Sequence, residues 1–175
     1  MPRGKVPDVI APDLGVLFCG INPGLYSAQV GHHFARPGNR FWKALHLAGF
    51  TGTLLAPDQE THLLDHGCGI TNLVARETAS ADELGGEELR AGGRALERKV
   101  RRFRPAWVAI LGVTAYRVAF GDPVARIGRP TRNLDGAGLW ILPNPSGLNA
   151  HYQLEALARC FRELREAAGL ADSSP

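Results

Sequence analysis

The chain has 175 residues, 45% hydrophobic and 21% charged, with a formal net charge of +3, which suits one globular domain with a real core. No apolar stretch approaches the roughly 20 residues of a membrane span, and Met1-Pro-Arg-Gly-Lys5 is not followed by a signal-peptide apolar region, so membrane insertion and export are not expected. The mild basic balance permits nucleic acid as a partner without requiring it.

Residues 1–12 are Pro-rich and charged, and a loosely held arm is expected there. Val16-Leu17-Phe18 reads as a buried strand of a parallel sheet. It stops at Gly20-Ile21-Asn22-Pro23-Gly24, a turn stiffened by proline. Asn22 therefore sits at the carboxyl end of a strand, where open α/β sheets bind ligands, although an Asn before Pro can simply close a turn. Tyr26 to Gly38 has no periodicity and reads as a loop. Asn39 has the form of an N-cap for a helix carrying Phe41, Trp42, Leu45 and Leu47, ended by Gly49.

Pro57 to His66 predicts a short helix, Cys68 to Val74 a second strand, and Ala75 to Ala81 a loop. Ser80-Ala-Asp-Glu83 has the pattern of a capping box. Glu87 to Arg104 is the longest helix, amphipathic through Leu89, Leu96, Val100 and Phe103. Its Gly92-Gly93 pair costs about 1 kcal/mol per glycine, so close packing is expected there. The basic run Arg90 to Arg104 reads first as a solvated helix face and second as a surface for DNA. Trp107–Leu111 is a strand, Thr114 to Phe120 a helix, and Gly121 to Gly138 turn-rich with room for a minor strand. Leu139 to Leu142 is the last strand, followed by a helix from Leu154 to Ala168 and a loosely ordered tail, 171–175. Alternating strands and helices predict one α/β domain over 1–175, a three-layer α/β/α sandwich around a mostly parallel central sheet.

The last strand runs into a second stiff turn, Pro143-Asn144-Pro145-Ser146-Gly147-Leu148-Asn149. Leu148 is a large apolar residue in a loop; it either tucks under the loop or stands exposed for a purpose. Cys19, Cys68 and Cys160 are too widely spaced for a zinc or iron–sulfur site, and His32-His33 is an isolated pair. No metal and no cofactor are expected.

The two turns together resemble the paired motifs of the mismatch-specific uracil/thymine-DNA glycosylases, family 2 of the uracil-DNA glycosylase superfamily. The resemblance rests on Gly20-Ile-Asn-Pro-Gly-Leu25 and Asn144-Pro-Ser-Gly-Leu148, with Phe34 to Lys43, Thr71 to Arg76 and Ala91 to Arg94 matching in order between them. It spans the chain from about Val16 to about Leu164, and the cysteine count argues against the iron–sulfur relatives.

The resemblance implies a DNA glycosylase of base excision repair. Such an enzyme extrudes uracil from double-stranded DNA, preferably opposite guanine, and hydrolyses it to leave an abasic site. Asn22 would orient the hydrolytic water, with Asp82 and Glu77 as minority candidates for an assisting carboxylate. The base pocket would comprise Ile21, Gly24, Tyr26, Ser27, Phe34 and Asn72, with Phe34 stacking on the base and Asn72 reaching its polar edge. Leu148 would fill the gap left in the helix. Gly147 and Asn149 would meet the widowed guanine, and Ser146 a phosphate.

Two departures stand out. Tyr26 replaces a small polar residue and is expected to narrow the pocket mouth against thymine's methyl group; Asn149-Ala150-His151 lacks the arginine often found behind the wedge. The only lysines are Lys5, Lys43 and Lys99, so no Schiff-base route is evident and a monofunctional enzyme is expected. The protein is expected to act as a monomer in the cytoplasm, associated with the nucleoid. Seventeen arginines against three lysines suggest a GC-rich, bacterial genome. A non-catalytic damage-sensing module on the same scaffold is the alternative. A nucleotide-binding enzyme ranks last, since Pro23 removes an N–H that a phosphate loop would use.

Overall fold

The computed structural model describes residues 6–175. Four strands, β1 (Val16–Gly20), β2 (Cys68–Asn72), β3 (Trp107–Leu111) and β4 (Gly138–Leu142), form a parallel sheet in the order β2-β1-β3-β4. β1 is buried along its whole length, as a strand with neighbours on both sides and helices on both faces must be. Phe18 lies in register with Ile70 on one side and Ala109 on the other.

Alternation along β1 divides the core. Val16 and Phe18 face a layer built on Phe41, Leu45, Phe161 and Leu164, which come from α2 (Phe41–Leu47) and α5 (Leu154–Ala167). Leu17 and Cys19 face Leu96, Val100 and Tyr116, from α3 (Gly86–Phe103) and α4 (Val113–Ala119). The α/β architecture is the one expected from the alternation of elements. Gly92 and Gly93 explain themselves: a Cβ at Gly92 would lie 2.5 Å from the Leu73 carbonyl oxygen, and one at Gly93 3.0 Å from that of Ala119. With larger residues α3 could not sit this close to the chain leaving β2 and to the end of α4.

Three segments differ from expectation. A helix, α1 (Leu25–Val30), occupies the stretch read as loop; six residues are too few to display a helical period. The N-terminal arm is fastened from residue 6 onward: Val9 exchanges backbone hydrogen bonds with Ile70 at 2.8 and 2.9 Å, and Asp8 pairs with Lys99 at 2.8 Å. Residues 1–5 of that expected arm lie outside the described residues. The tail is fastened too, through Ser173 N–H to the Gly49 carbonyl at 2.8 Å and Arg165 beside Asp172. Polar composition suggests looseness in both ends, but main-chain bonds hold Val9 in the described part of the arm and Ser173 in the tail.

The strand order has a functional consequence. From β1 the chain moves outward to β2, then returns to the other side of β1 for β3 and β4. The loops after β1 and β3 therefore diverge and leave a crevice at the carboxyl ends of those strands, where open α/β sheets place their ligands.

Candidate active site

A cavity of about 570 Å³ opens at that crevice, ample for a pyrimidine, and residues from both stiff turns line it. Its wall includes Asn22 and Pro23 after β1, Asn72 at the end of β2, Gly112 after β3, and Asn144 to Ser146 after β4. Leu148 and Asn149 stand at its rim.

Asn22 is half-buried and its orientation is defined. Its amide nitrogen donates to the Arg76 carbonyl and to Thr78 Oγ1, both at 2.8 Å. A carbonyl can only accept, so the nitrogen is the group turned that way. Thr78 Oγ1 spends its own proton on the Ser80 carbonyl at 2.8 Å, which leaves it an acceptor toward Asn22. With both amide hydrogens committed, Oδ1 is left as an unengaged acceptor among the described residues. Thr78 is 4% exposed and lines the cavity. Nothing in the sequence marks it, because a threonine in a loop carries no signal until the fold sets it beside Asn22.

Phe34 is held under strain. Its φ of 51° lies in the left-handed region, unfavourable for an aromatic residue. The segment around it is tied down by His33 N–H to Glu60 at 2.8 Å, Ala35 N–H to Ser27 Oγ at 3.1 Å, and Trp42 Nε1–H to the His33 carbonyl at 3.1 Å. The ring lies on Phe41, centroids 4.2 Å apart and planes 30° from parallel. Gly20 lets Phe34 and Asn72 converge: a Cβ there would lie 2.6 Å from Asn72 Oδ1 and 3.3 Å from the Phe34 ring. The Ile21 carbonyl accepts from Val74 N–H at 3.0 Å, and the Ile21 N–H has no main-chain partner among the described residues.

The turn after β4 is braced from within. Asn144 Oδ1 accepts from Ser146 N–H at 3.0 Å, Ser146 Oγ from Leu148 N–H at 3.2 Å, and the Asn144 carbonyl from Asn149 Nδ2 at 3.0 Å. Leu148 does not tuck under this loop; it is 71% exposed. The Asn149 side chain is engaged inside the loop at both ends, its Oδ1 accepting from His151 N–H, while its second Nδ2 hydrogen has no partner among the described residues.

Three expected site residues fall away from the cavity. Tyr26 is exposed on α1 and does not line it. Ser27 takes the inward place, because adjacent helical residues point about 100° apart. The expected narrowing by Tyr26 therefore has no basis in the structure. Asp82 is exposed in a 3₁₀ turn (Ala81–Glu83), where it accepts from the Ser80 hydroxyl, and it too is outside the wall. Glu77 is likewise absent from the wall, and none of the described residues lining the cavity is a carboxylate. Ile21, Gly24, Ser27, Phe34 and Asn72 all line it, whereas Gly147 lies beside the lining residues Ser146 and Leu148.

The basic run has partners of its own: Arg90 and Arg94 with Glu87, Arg101 with Glu97 and Asp135, and Arg104 near Asp13. The end of α3 meets the chain just before β1, through Asp13 N–H to the Phe103 carbonyl at 2.8 Å. The C-terminal end of α3, with Arg101 to Arg104, is therefore at the opposite end of the sheet from the cavity, whereas its first turn is tied to the loop after β2 through Glu88 and Arg76 at 2.8 Å. Lys99 is engaged by Asp8 and Thr71, Lys43 is exposed on α2, and neither lines the cavity; Lys5 lies outside the described residues. Cys19 and Cys68 are buried within β1 and β2, and burial raises both thiol pKa values, that of Cys68 to about 12.

A family model described as the uracil DNA glycosylase superfamily matches residues 7–167. The chain belongs to that superfamily. Its fold is similar to the solution NMR structure of a candidate uracil DNA glycosylase from Methanosarcina acetivorans, at a TM-score of 0.61 and 18% identity over 93% of this chain and 98% of that one. Superfamily membership implies an enzyme that hydrolyses N-glycosidic bonds, with DNA as substrate, and supports a uracil glycosylase role. No helix among the described residues is long and apolar enough to cross a membrane.

Proposed function

We propose that the protein is a monofunctional glycosylase of the mismatch-specific family, which extrudes uracil from double-stranded DNA, preferably opposite guanine, and hydrolyses it to leave an abasic site. One observation carries the reading: Asn22, with a free amide oxygen, and Leu148, exposed on a braced loop, border the same cavity.

Extruding the base costs a few kcal/mol. Leu148 offsets part of that by occupying the emptied stack, while the Ser146 hydroxyl, which still has its proton to give, contacts a flanking phosphate. In the pocket Phe34 stacks on the uracil, and the Asn72 amide and the Ile21 N–H meet its polar edge. As the glycosidic bond breaks, the bonding pair leaves with the base, and these donors stabilise the resulting anion. Water held by Asn22 Oδ1 adds to the sugar carbon and loses its proton to solvent or to the departing base. The Gly147 main chain and the uncommitted Asn149 Nδ2 hydrogen are the groups that meet the opposite guanine.

A neutral amide positions water but cannot take its proton. General-base catalysis typically contributes about 10²–10⁴-fold, so this enzyme should be slower than superfamily members with Asp at this position. The same lack of a carboxylate keeps one other reading in view, a damage-sensing module that binds uracil-containing DNA without cleaving it. Incubation with a duplex carrying one uracil opposite guanine separates the two. Free uracil and an alkali-labile site are expected; tight binding with no released base would favour the sensing module.

A further inference from the structure

We infer that Arg40 is a positioning residue: it fastens the Leu148 loop to the start of α2 and so sets the preference for paired over unpaired uracil. The inference rests on the reading of Leu148 as a plug. The Arg40 guanidinium donates to three carbonyls spread around that loop: Ser146 at 2.8 Å, Asn149 at 3.1 Å, and Tyr152. The Arg40 main-chain N–H donates to a fourth, that of Pro145, at 3.0 Å. The loop also packs against the chain just ahead of Arg40, since a Cβ at Gly147 would lie 2.8 Å from the Gly38 carbonyl oxygen.

This is work for a guanidinium. Its planar fork holds five donors in fixed directions and here serves the three carbonyls from two separate nitrogens, whereas an ammonium offers its three donors from a single point on a flexible stem. No carboxylate pairs with Arg40 among the described residues, so its charge is met by loop carbonyl dipoles alone. Those dipoles point inward, and they fix the loop in the form that leaves Leu148 outside. The next residue, Phe41, carries the Phe34 ring on its own. Consecutive residues of one helix start thus support the plug and the base platform, so extrusion and capture share a rigid mount.

The test is Arg40→Lys and Arg40→Gln, each alone and combined with Leu148→Ala. Uracil release is measured from a duplex and from an unpaired bulge, and amide hydrogen exchange is followed at residues 146–152 in the DNA-free protein. Misplacing a positioning element can cost up to about 10²-fold, and a loss of about tenfold is expected on the duplex, with release from the bulge within about twofold of wild type. The loop amides should exchange faster, and the duplex loss should vanish in the Leu148→Ala background, since both changes act through one contact. Equal loss on both substrates, a loss that persists without Leu148, or unchanged exchange in the loop would overturn the inference. If the wild type releases no uracil from either substrate, the glycosylase reading falls, and the exchange rates alone decide whether Arg40 holds the loop.

Discussion

The two turns over the cavity are built in opposite ways. The turn after β1 is held from outside: the Asn22 nitrogen is bound by Arg76 and Thr78, which belong to the loop after β2. The side chain is half-buried and one acceptor is left free. The turn after β4 is held from inside and below, by its own Asn144, Ser146 and Asn149 and by Arg40 beneath it, and it presents a leucine to solvent. A group that must aim one oxygen at one water needs its orientation fixed. A group that must fill a gap needs its height above the surface fixed. The structure provides each turn with the kind of restraint its proposed task needs.

Breaking the first turn should have the largest effect. Asn22→Ala removes the proposed water ligand and should lower single-turnover uracil release by about 10²-fold or more, while a gel-shift measurement shows abasic-site DNA still bound. Thr78→Val keeps the volume but leaves one Asn22 hydrogen without its acceptor; at about 1–2 kcal/mol this is a loss of about tenfold in rate, with little change in KM and recovery in Thr78→Ser. Thr78→Val with unchanged kcat would mean that the Arg76 carbonyl alone fixes the amide.

A smaller effect is expected from pH. Burial lowers the His33 pKa below its ordinary 6.5, against the opposing pull of the Pro7 carbonyl, Glu60 and Asp8, and with some help from His32. The unfolded chain then binds the extra proton more readily, so this contribution to stability is intact above about 6.5 and is lost as the pH falls below it. The melting temperature should decline on the acid side, less steeply in His33→Gln; the same slope in both would remove His33 as the cause. Smallest of all, Asp82→Asn should leave the excision rate within about twofold, since this carboxylate is outside the cavity wall and engaged by Ser80.

β1, β3 and β4 were legible because each is a short, mostly apolar run bounded by glycine or proline, whereas β2 carries Gly69, Thr71 and Asn72 and runs on into Leu73-Val74 without such a stop; the position of Asn22 followed from the strand before it. The glycine pair in α3 signalled close packing through its cost alone. Helix α1 was not legible, being too short to show a period. Nor was the side Tyr26 would take, since helical phase decides it and no helix had been expected. Thr78 and Arg40 were invisible for a different reason. Each acts on a residue distant in the chain, Thr78 on Asn22 and Arg40 on carbonyls beyond residue 145, and such pairings exist only once the strand order is known.

The division of labour between the two turns is tested most directly by single-turnover excision from matched duplex and single-stranded substrates, with Asn22→Ala and Leu148→Ala measured side by side. The account predicts that Asn22→Ala loses the same factor on both substrates, whereas Leu148→Ala loses about tenfold or more on the duplex and little on the single strand. An equal loss on both substrates for Leu148→Ala, or near wild-type excision by Asn22→Ala, would contradict it.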